Sequence, residues 1–210
     1  MSVQGNDDWH KARLGKLTGS VMFKVINTTK TGGYTSERAN LMHDLAIATI
    51  TGKPTETVTT AAMANGTRQE PIARTTYELV KDVSVKEIMF IDHPKLRKCG
   101  FSPDGLVNDD GLIEIKSPLP KTHLEYMETG IIPPPYYTQI HWGFACMPER
   151  RWADFISFCD AMPHELRIYI KRVNRDDTYV HKLEREAVKF IEELDALIEN
   201  LRGKIEAAVA

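Results

Sequence analysis

Residues 100–118 read GFSPDGLVNDDGLIEIKSP and place two carboxylates and an ammonium, Asp104, Glu114 and Lys116, within one predicted hairpin. Side chains alternate between the faces of a strand, so Glu114 and Lys116 project one way and Ile113 and Ile115 the other. Carboxylates on one face with isoleucines behind them suit hydrolysis of a phosphodiester. That reaction needs a nucleophile made from water and stabilisation of negative charge, and divalent cations held by carboxylates supply both. Oxygen ligands select hard ions, magnesium first and manganese as its substitute. Asp104 and Glu114 are the candidate ligands, and the backbone carbonyl of Ile115 lies between the functional side chains. Lys116 cannot ligate a metal while protonated; its candidate roles are to hold or help deprotonate the attacking water and to screen the phosphate. An ordinary cross-strand Asp–Lys pair would instead contribute only ~0.2–1 kcal/mol.

The chemistry constrains the turn. A two-residue loop at Asp110-Gly111 would set Asp104 opposite Ser117, on the face of Ile113 and Ile115. A three-residue loop, Asp109-Asp110-Gly111 with Gly111 left-handed, pairs Asn108 with Leu112 and sets Asp104 opposite Lys116, on the face of Glu114. An odd-length loop is therefore required.

The flanking elements must carry the remaining groups. A short helix capped by Asp7 or Asp8 breaks at Gly15, and Thr18 or Ser20 caps the next. Trp9 and Leu14 read as core. Arg13 and Ser20 offer a guanidinium and a helix N-terminus suited to an anionic oxygen, although on spacing alone they read as a surface arginine and a capping serine. A flexible polar connection at 30–36 precedes a helix over 36–51 that Gly52 and Pro54 end. A second helix over 60–81 carries Glu70, an exposed carboxylate or one that reaches the centre, and Pro71 predicts a break or restart. Residues 83–91 read as a strand, 121–129 as a helix, and Pro135 as the first position of a helix reaching Cys146. Strands are predicted over 152–158 and 165–173. A long amphipathic helix closes the sequence, its stripe running from Leu183 through Phe190, Leu194 and Ile198 to Ile205. This order predicts one α/β domain over residues 1–210, a central mixed sheet flanked by helices.

Composition agrees with a buried core, at 42% hydrophobic over 210 residues. No apolar run is long enough to span a bilayer, and the N-terminus lacks the apolar region of a signal peptide, so no membrane partner is expected. Cys99, Cys146 and Cys159 share no metal-binding spacing and read as reduced thiols of a cytoplasmic protein. Net charge is −2, yet residues 1–40 hold six basic against three acidic residues. A nucleic-acid contact would therefore be a local basic lining rather than a whole basic face.

The pattern Pro103-Asp104 with Glu114-Ile115-Lys116 resembles the PD-(D/E)xK nuclease superfamily, and more closely the phage-type YqaJ-like exonucleases related to lambda exonuclease. The resemblance extends to Ser102-Pro-Asp-Gly-Leu106, to Asp8-Trp9-His10-Lys11-x-Arg13-Leu14-Gly15 with Thr18 and Ser20, to Gly66-x-x-x-Glu70, and to Tyr137-x-Gln139-Ile140. It implies a restriction-endonuclease-like core in which Asp104, Glu114 and the Ile115 carbonyl bind magnesium, Lys116 serves the water, and Glu70 is an additional catalytic carboxylate. It further implies a 5′-terminal phosphate pocket of Arg13, Ser20, Ser102 and Gln139, and an apolar strand-separating wedge near Met63. The implied activity is 5′→3′ degradation of one strand of linear double-stranded DNA, leaving a 3′ overhang for a single-strand annealing protein. The implied assembly is a ring-shaped homotrimer, and the implied setting is a phage or prophage protein in the bacterial host cytoplasm. The loop at 27–37 departs from the family in length and composition. The competing expectations are a structure-specific or restriction-like endonuclease and a non-catalytic DNA-end-binding module.

Overall fold

The alternation in GLIEIK sets the layers of the molecule. A computed structural model describes residues 6–55 and 60–209, with side chains as far as residue 204; Ile205 lies outside the described side chains. Strand β6 (Gly111–Lys116) is the middle of a five-stranded sheet ordered β2-β5-β6-β7-β8, with β2 (Val85–Lys86), β5 (Gly105–Val107), β7 (Trp152–Phe158) and β8 (Ile168–Asn174). β6 and β7 run parallel, joined by a crossover through α5 (Pro120–Thr129) and α6 (Pro134–Cys146), and the other pairings within this sheet are antiparallel. The sheet is therefore mixed, as expected.

One face of the sheet, with Leu112, Ala153, Phe155 and Val173, joins a cluster containing Trp142 and Phe144 of α6. The same cluster takes Leu183, Phe190 and Leu194 from α7 (Asp177–Val209). The opposite face, with Ile113, Ile115, Ile156 and Phe158, packs on Ala73 and Tyr77 of α4 (Ala61–Lys81). Burial of such side chains stabilises by about 1.5–3 kcal/mol each. This two-sided packing explains why β6 is apolar on both faces except where Glu114 and Lys116 interrupt it. No described helix is long and apolar enough to cross a membrane. All three cysteines are buried and free, and burial pushes the Cys99 thiol up to about 12.

A smaller sheet docks the N-terminal region beside the hairpin. β1 (Leu17–Thr18) pairs in parallel with β4 (Cys99–Phe101), whose other neighbour is β3 (Ile91–Asp92). Gly100 permits the close approach, because a Cβ there would sit 2.2 Å from the Phe90 ring. Helix α1 (Asp7–Arg13) is thereby held against the turn that precedes β5, through Ser102, and α2 (Gly19–Ile26) follows β1 directly.

Several local expectations are corrected. Asn6, rather than Asp7 or Asp8, caps α1 by accepting the Trp9 N–H at 2.8 Å. Both aspartates lie in the first turn, where the helix dipole favours them. Thr18 occupies the N-cap position of α2 but makes no capping bond, its hydroxyl being engaged elsewhere. Helix α3 (Ser36–Thr51) ends at left-handed Gly52 as expected, whereas α4 runs unbroken through Gly66 and Pro71. The packing of Ala73 and Tyr77 on the sheet outweighs the ~3 kcal/mol a proline costs a helix interior. The strand expected over 83–91 is instead β2 and β3, in different sheets. Pro134 rather than Pro135 begins α6, and residues 164–166 form a 3-10 turn before β8. The connection at 30–36 is not a loose tether: Thr28 bridges Tyr34, whose hydroxyl donates to Glu186 of α7 at 2.7 Å.

The hairpin loop has the required odd length, with a different register. Val107 pairs with Gly111 and Leu106 with Leu112, so the loop is Asn108-Asp109-Asp110. Its left-handed residue is Asn108, at φ 48°, rather than Gly111. Continued one residue, this register sets Asp104 opposite Glu114, not opposite Lys116. Gly111 belongs to the strand because a Cβ there would come within 2.2 Å of the Trp152 ring. Arg150 secures the loop by donating to the carbonyls of Asn108 (2.9 Å) and Gly111 (3.1 Å). Asp104 itself lies in the bend between β4 and β5, outside any strand.

Candidate active site

Strand β6 delivers Glu114 and Lys116 to one face, and the bend before β5 delivers Asp104. The Asp104 Oδ2 accepts the Ile115 N–H at 2.7 Å, a bond that aims this carboxylate at β6 between the other two groups. Glu114 is 0% exposed. Its Oε1 lies 2.6 Å from the Lys116 Nζ, an ion-pair contact, yet neither carboxylate oxygen has a hydrogen-bond partner of good geometry. Lys116 also reaches the Gln139 Oε1 at 3.4 Å and stands 4.8 Å from the Tyr136 ring centroid.

The electrostatics are those of carboxylates crowded away from water. Burial pushes the Glu114 carboxyl up to about 8, with Lys116 opposing and Asp104 adding to the rise. Burial also raises Asp104, against the pull of Lys116 and the Ile115 N–H. Glu70 is pushed up to about 7, by burial first and then by the Asp104 charge. For Lys116, burial alone would lower the pKa, but Glu114 and Asp104 outweigh it and hold the ammonium above its ordinary range. Lys116 is thus a cation set between Glu114 and Asp104.

Helix α4 brings Glu70 to the same cleft, about 570 Å³ in volume, which Asp104, Ile115, Lys116, Trp9, Met63 and Tyr136 also line. Glu70 is half-buried rather than an exposed helix carboxylate. Its Oε1 accepts from Arg74 Nη2 at 2.5 Å, while Arg74 Nε donates to the Asp104 carbonyl at 3.0 Å. Sequence reasoning did not single out Arg74. The available signal was its i,i+4 spacing from Glu70, which helix geometry turns into a contact.

The N-terminal residues form a connected cluster at the other wall. Arg13 Nη1 and the Trp9 indole N–H both donate to the Ser102 Oγ at 3.0 Å. Arg13 Nη2 donates to Thr18 Oγ1 at 3.4 Å, and Thr18 Oγ1 lies 3.3 Å from Ser20 Oγ. The guanidinium lies 4.3 Å from the Trp9 ring centroid. Burial lowers Arg13 to about 10, so it remains cationic at neutral pH. Gln139 stands between this cluster and Lys116: a Cβ on Gly19 would be 3.4 Å from its Cγ. Arg13, Ser20, Ser102 and Gln139, far apart in sequence, are thus brought together. Trp9 and Leu14 are half-buried, and Trp9 is a cleft wall rather than core. Met63, 53% exposed, sits at the cleft edge.

Among the described residues, no group of three or more His, Cys, Asp or Glu side chains is placed to hold a metal ion on its own. The residues present fit an open site instead. Glu114 buries two carboxylate oxygens beside the Lys116 ammonium, and Asp104 faces the same strand. Magnesium binds through one or two carboxylates while keeping several waters.

The fold and cleft have known counterparts. The YqaJ-like viral recombinase domain matches residues 8–147. The alkaline exonuclease LHK-Exo from Laribacter hongkongensis is similar at 40% identity, over 98% of this chain and 100% of that one, with a TM-score of 0.89. A structure of LHK-Exo in complex with dAMP aligns at 38% identity over 98% of this chain and 100% of that one, with the same TM-score. A phage-related exonuclease from Haemophilus somnus 129PT shares the fold, at 15% identity over 89% of this chain and 96% of that one, with a TM-score of 0.67. No curated protein matches this chain significantly in sequence.

Proposed function

The chain belongs to the YqaJ-like viral recombinase family, a lambda exonuclease-like group, and from that premise we propose that it is a magnesium-dependent 5′→3′ exonuclease of linear duplex DNA. The observation that carries the reading is the buried Glu114 carboxylate, paired with Lys116 and opposite Asp104, behind a cleft that Asp104, Lys116 and Glu70 line beside the Arg13–Ser102 cluster. When bound, magnesium would supply Lewis-acid stabilisation of phosphate charge and a more acidic water. Asp104, Glu114 and the Ile115 carbonyl are the groups that would hold it. Lys116 holds the attacking water and screens the phosphate, and Glu70 orients the same water from helix α4.

The second cluster supports this polarity. Arg13, with the hydroxyls of Ser20 and Ser102 and the amide of Gln139, presents cationic and neutral donors to a terminal phosphate. Ser20 adds the N-terminal turn of α2. A 5′-phosphate seated there would place the adjacent phosphodiester toward Lys116. Met63 would then part the strand ends as an apolar wedge. The dAMP complex of LHK-Exo is in keeping with a cleft of nucleotide size. The product, a 3′ overhang, would pass to a single-strand annealing protein in phage recombination inside the host cell. A ring-shaped homotrimer would enclose the duplex.

The test uses linear and covalently closed circular duplex with magnesium or chelator. Degradation of the linear form alone, and only with metal, is the expected result. Cleavage of closed circles would turn the reading to an endonuclease. Asp104→Asn and Lys116→Ala should each lower turnover more than about 100-fold; indifference to both would mark a non-catalytic end-binding module.

A further inference from the structure

Arg74 is 9% exposed and carries three partners on one planar group. Its Nε donates to the Asp104 carbonyl at 3.0 Å, its Nη2 to the Glu70 Oε1 at 2.5 Å, and its Nη1 lies 3.1 Å from the Glu87 Oε2. These partners come from three separate segments: the bend before β5, helix α4, and the chain just after β2. We infer that Arg74 is a positioning residue that fixes the Glu70 carboxylate and the Asp104 backbone in one frame, setting the spacing of the acidic groups around the cleft. The inference rests on the nuclease reading above.

The geometry supports this over a general stabilising ion pair. The guanidinium is rigid and planar, so its two hydrogen bonds and its ion-pair contact with Glu87 leave in fixed directions that define the relative placement of the three partners. Asp104 is held at both ends, its carbonyl by Arg74 and its Oδ2 by the Ile115 N–H. Its orientation is therefore overdetermined in a stretch that belongs to no strand. Glu70 and Asp104 repel, and Arg74 supplies the positive charge that lets them remain neighbours. Pro71 leaves the helix unbroken, so Arg74 keeps its place one turn beyond Glu70. A lysine would restore the charge but not the three directions.

The experiment compares wild type, Arg74→Lys, Glu70→Gln and the double variant. Three quantities are read: turnover at saturating linear DNA ends with magnesium, KM for those ends, and Mn²⁺ affinity by calorimetry without DNA. Arg74→Lys should lower turnover about 10-fold or more and weaken Mn²⁺ binding several-fold, with KM changed less than about threefold. In the Glu70→Gln background the same substitution should add less than about threefold, because both changes break one linkage. Wild-type turnover and Mn²⁺ affinity in Arg74→Lys, or equal losses in both backgrounds, would overturn the inference. If Arg74→Lys fails to fold by circular dichroism, Glu87→Gln releases one arm from an exposed partner. It should cost about two- to fivefold in turnover, again only when Glu70 is intact; no change would overturn the inference. An inert wild type would overturn the nuclease reading, and the Mn²⁺ titration would still decide the placement of Arg74.

Discussion

At the scale of single residues, the site is defined by acidic groups held away from water. Glu114 is the clearest case, and its pKa carries a sign. The ordinary carboxyl value is 4.5 and the folded value is pushed up to about 8. Below pH 4.5 both folded and unfolded chains hold the proton. As pH rises through the interval the unfolded chain releases it first, so the metal-free folded state is progressively disfavoured. In chelator, the stability of wild type relative to Glu114→Gln should therefore fall as pH rises from 5 to 8. Urea unfolding across that range reads it, and a gap independent of pH would contradict it. Arg13 supports a separate prediction: Arg13→Ala should lose preference for 5′-phosphorylated over 5′-hydroxyl ends, and equal losses on both would remove it from the phosphate pocket. Legibility differed sharply between such residues. Glu114 and Lys116 were readable from strand alternation alone, whereas Arg13 and Ser20 became candidates only through resemblance. The i,i+4 spacing of Arg74 from Glu70 was readable, but its bond to Asp104, thirty residues away, is reported by no local pattern.

At the scale of elements, the hairpin decides whether the carboxylates meet. Parity was legible, since only an odd loop puts Asp104 on the face of Glu114. The register was not, because the preference for glycine at a left-handed position pointed to Gly111 while the Trp152 ring reserves that glycine for the strand. Asn108 takes the left-handed conformation instead. Asn108→Gly should consequently leave stability nearly unchanged, whereas Asn108→Val should cost about 1–2 kcal/mol. Urea denaturation distinguishes them, and a neutral valine would mean that the loop does not require this conformation. Elements such as α3 and β7 were legible at their ends, and α7 from its apolar stripe. Two-residue strands such as β2 and β3 were not, because their existence depends on partners distant in sequence. Pro71 misled for the reverse reason: a local preference lost to packing on the sheet.

At the scale of the whole molecule, the mixed sheet separates two packed layers and leaves its acidic cluster at one edge of a cleft, beside a cationic N-terminal cluster. The net charge of −2 is then no obstacle to DNA, since screening acts over about 10 Å and only the path near the cleft must be basic. The proposed trimer should weigh three times the 23.8 kDa protomer by light scattering, and a monomer at working concentration would contradict an enclosing ring. The most direct test of the central claim is a time course on linear duplex labelled at either the 5′ or the 3′ end, with magnesium. The account predicts early release of the 5′ label as mononucleotide, retention of the 3′ label on a long strand, and loss of both effects in Glu114→Gln. Early release of the 3′ label, or undiminished digestion by Glu114→Gln, would contradict it.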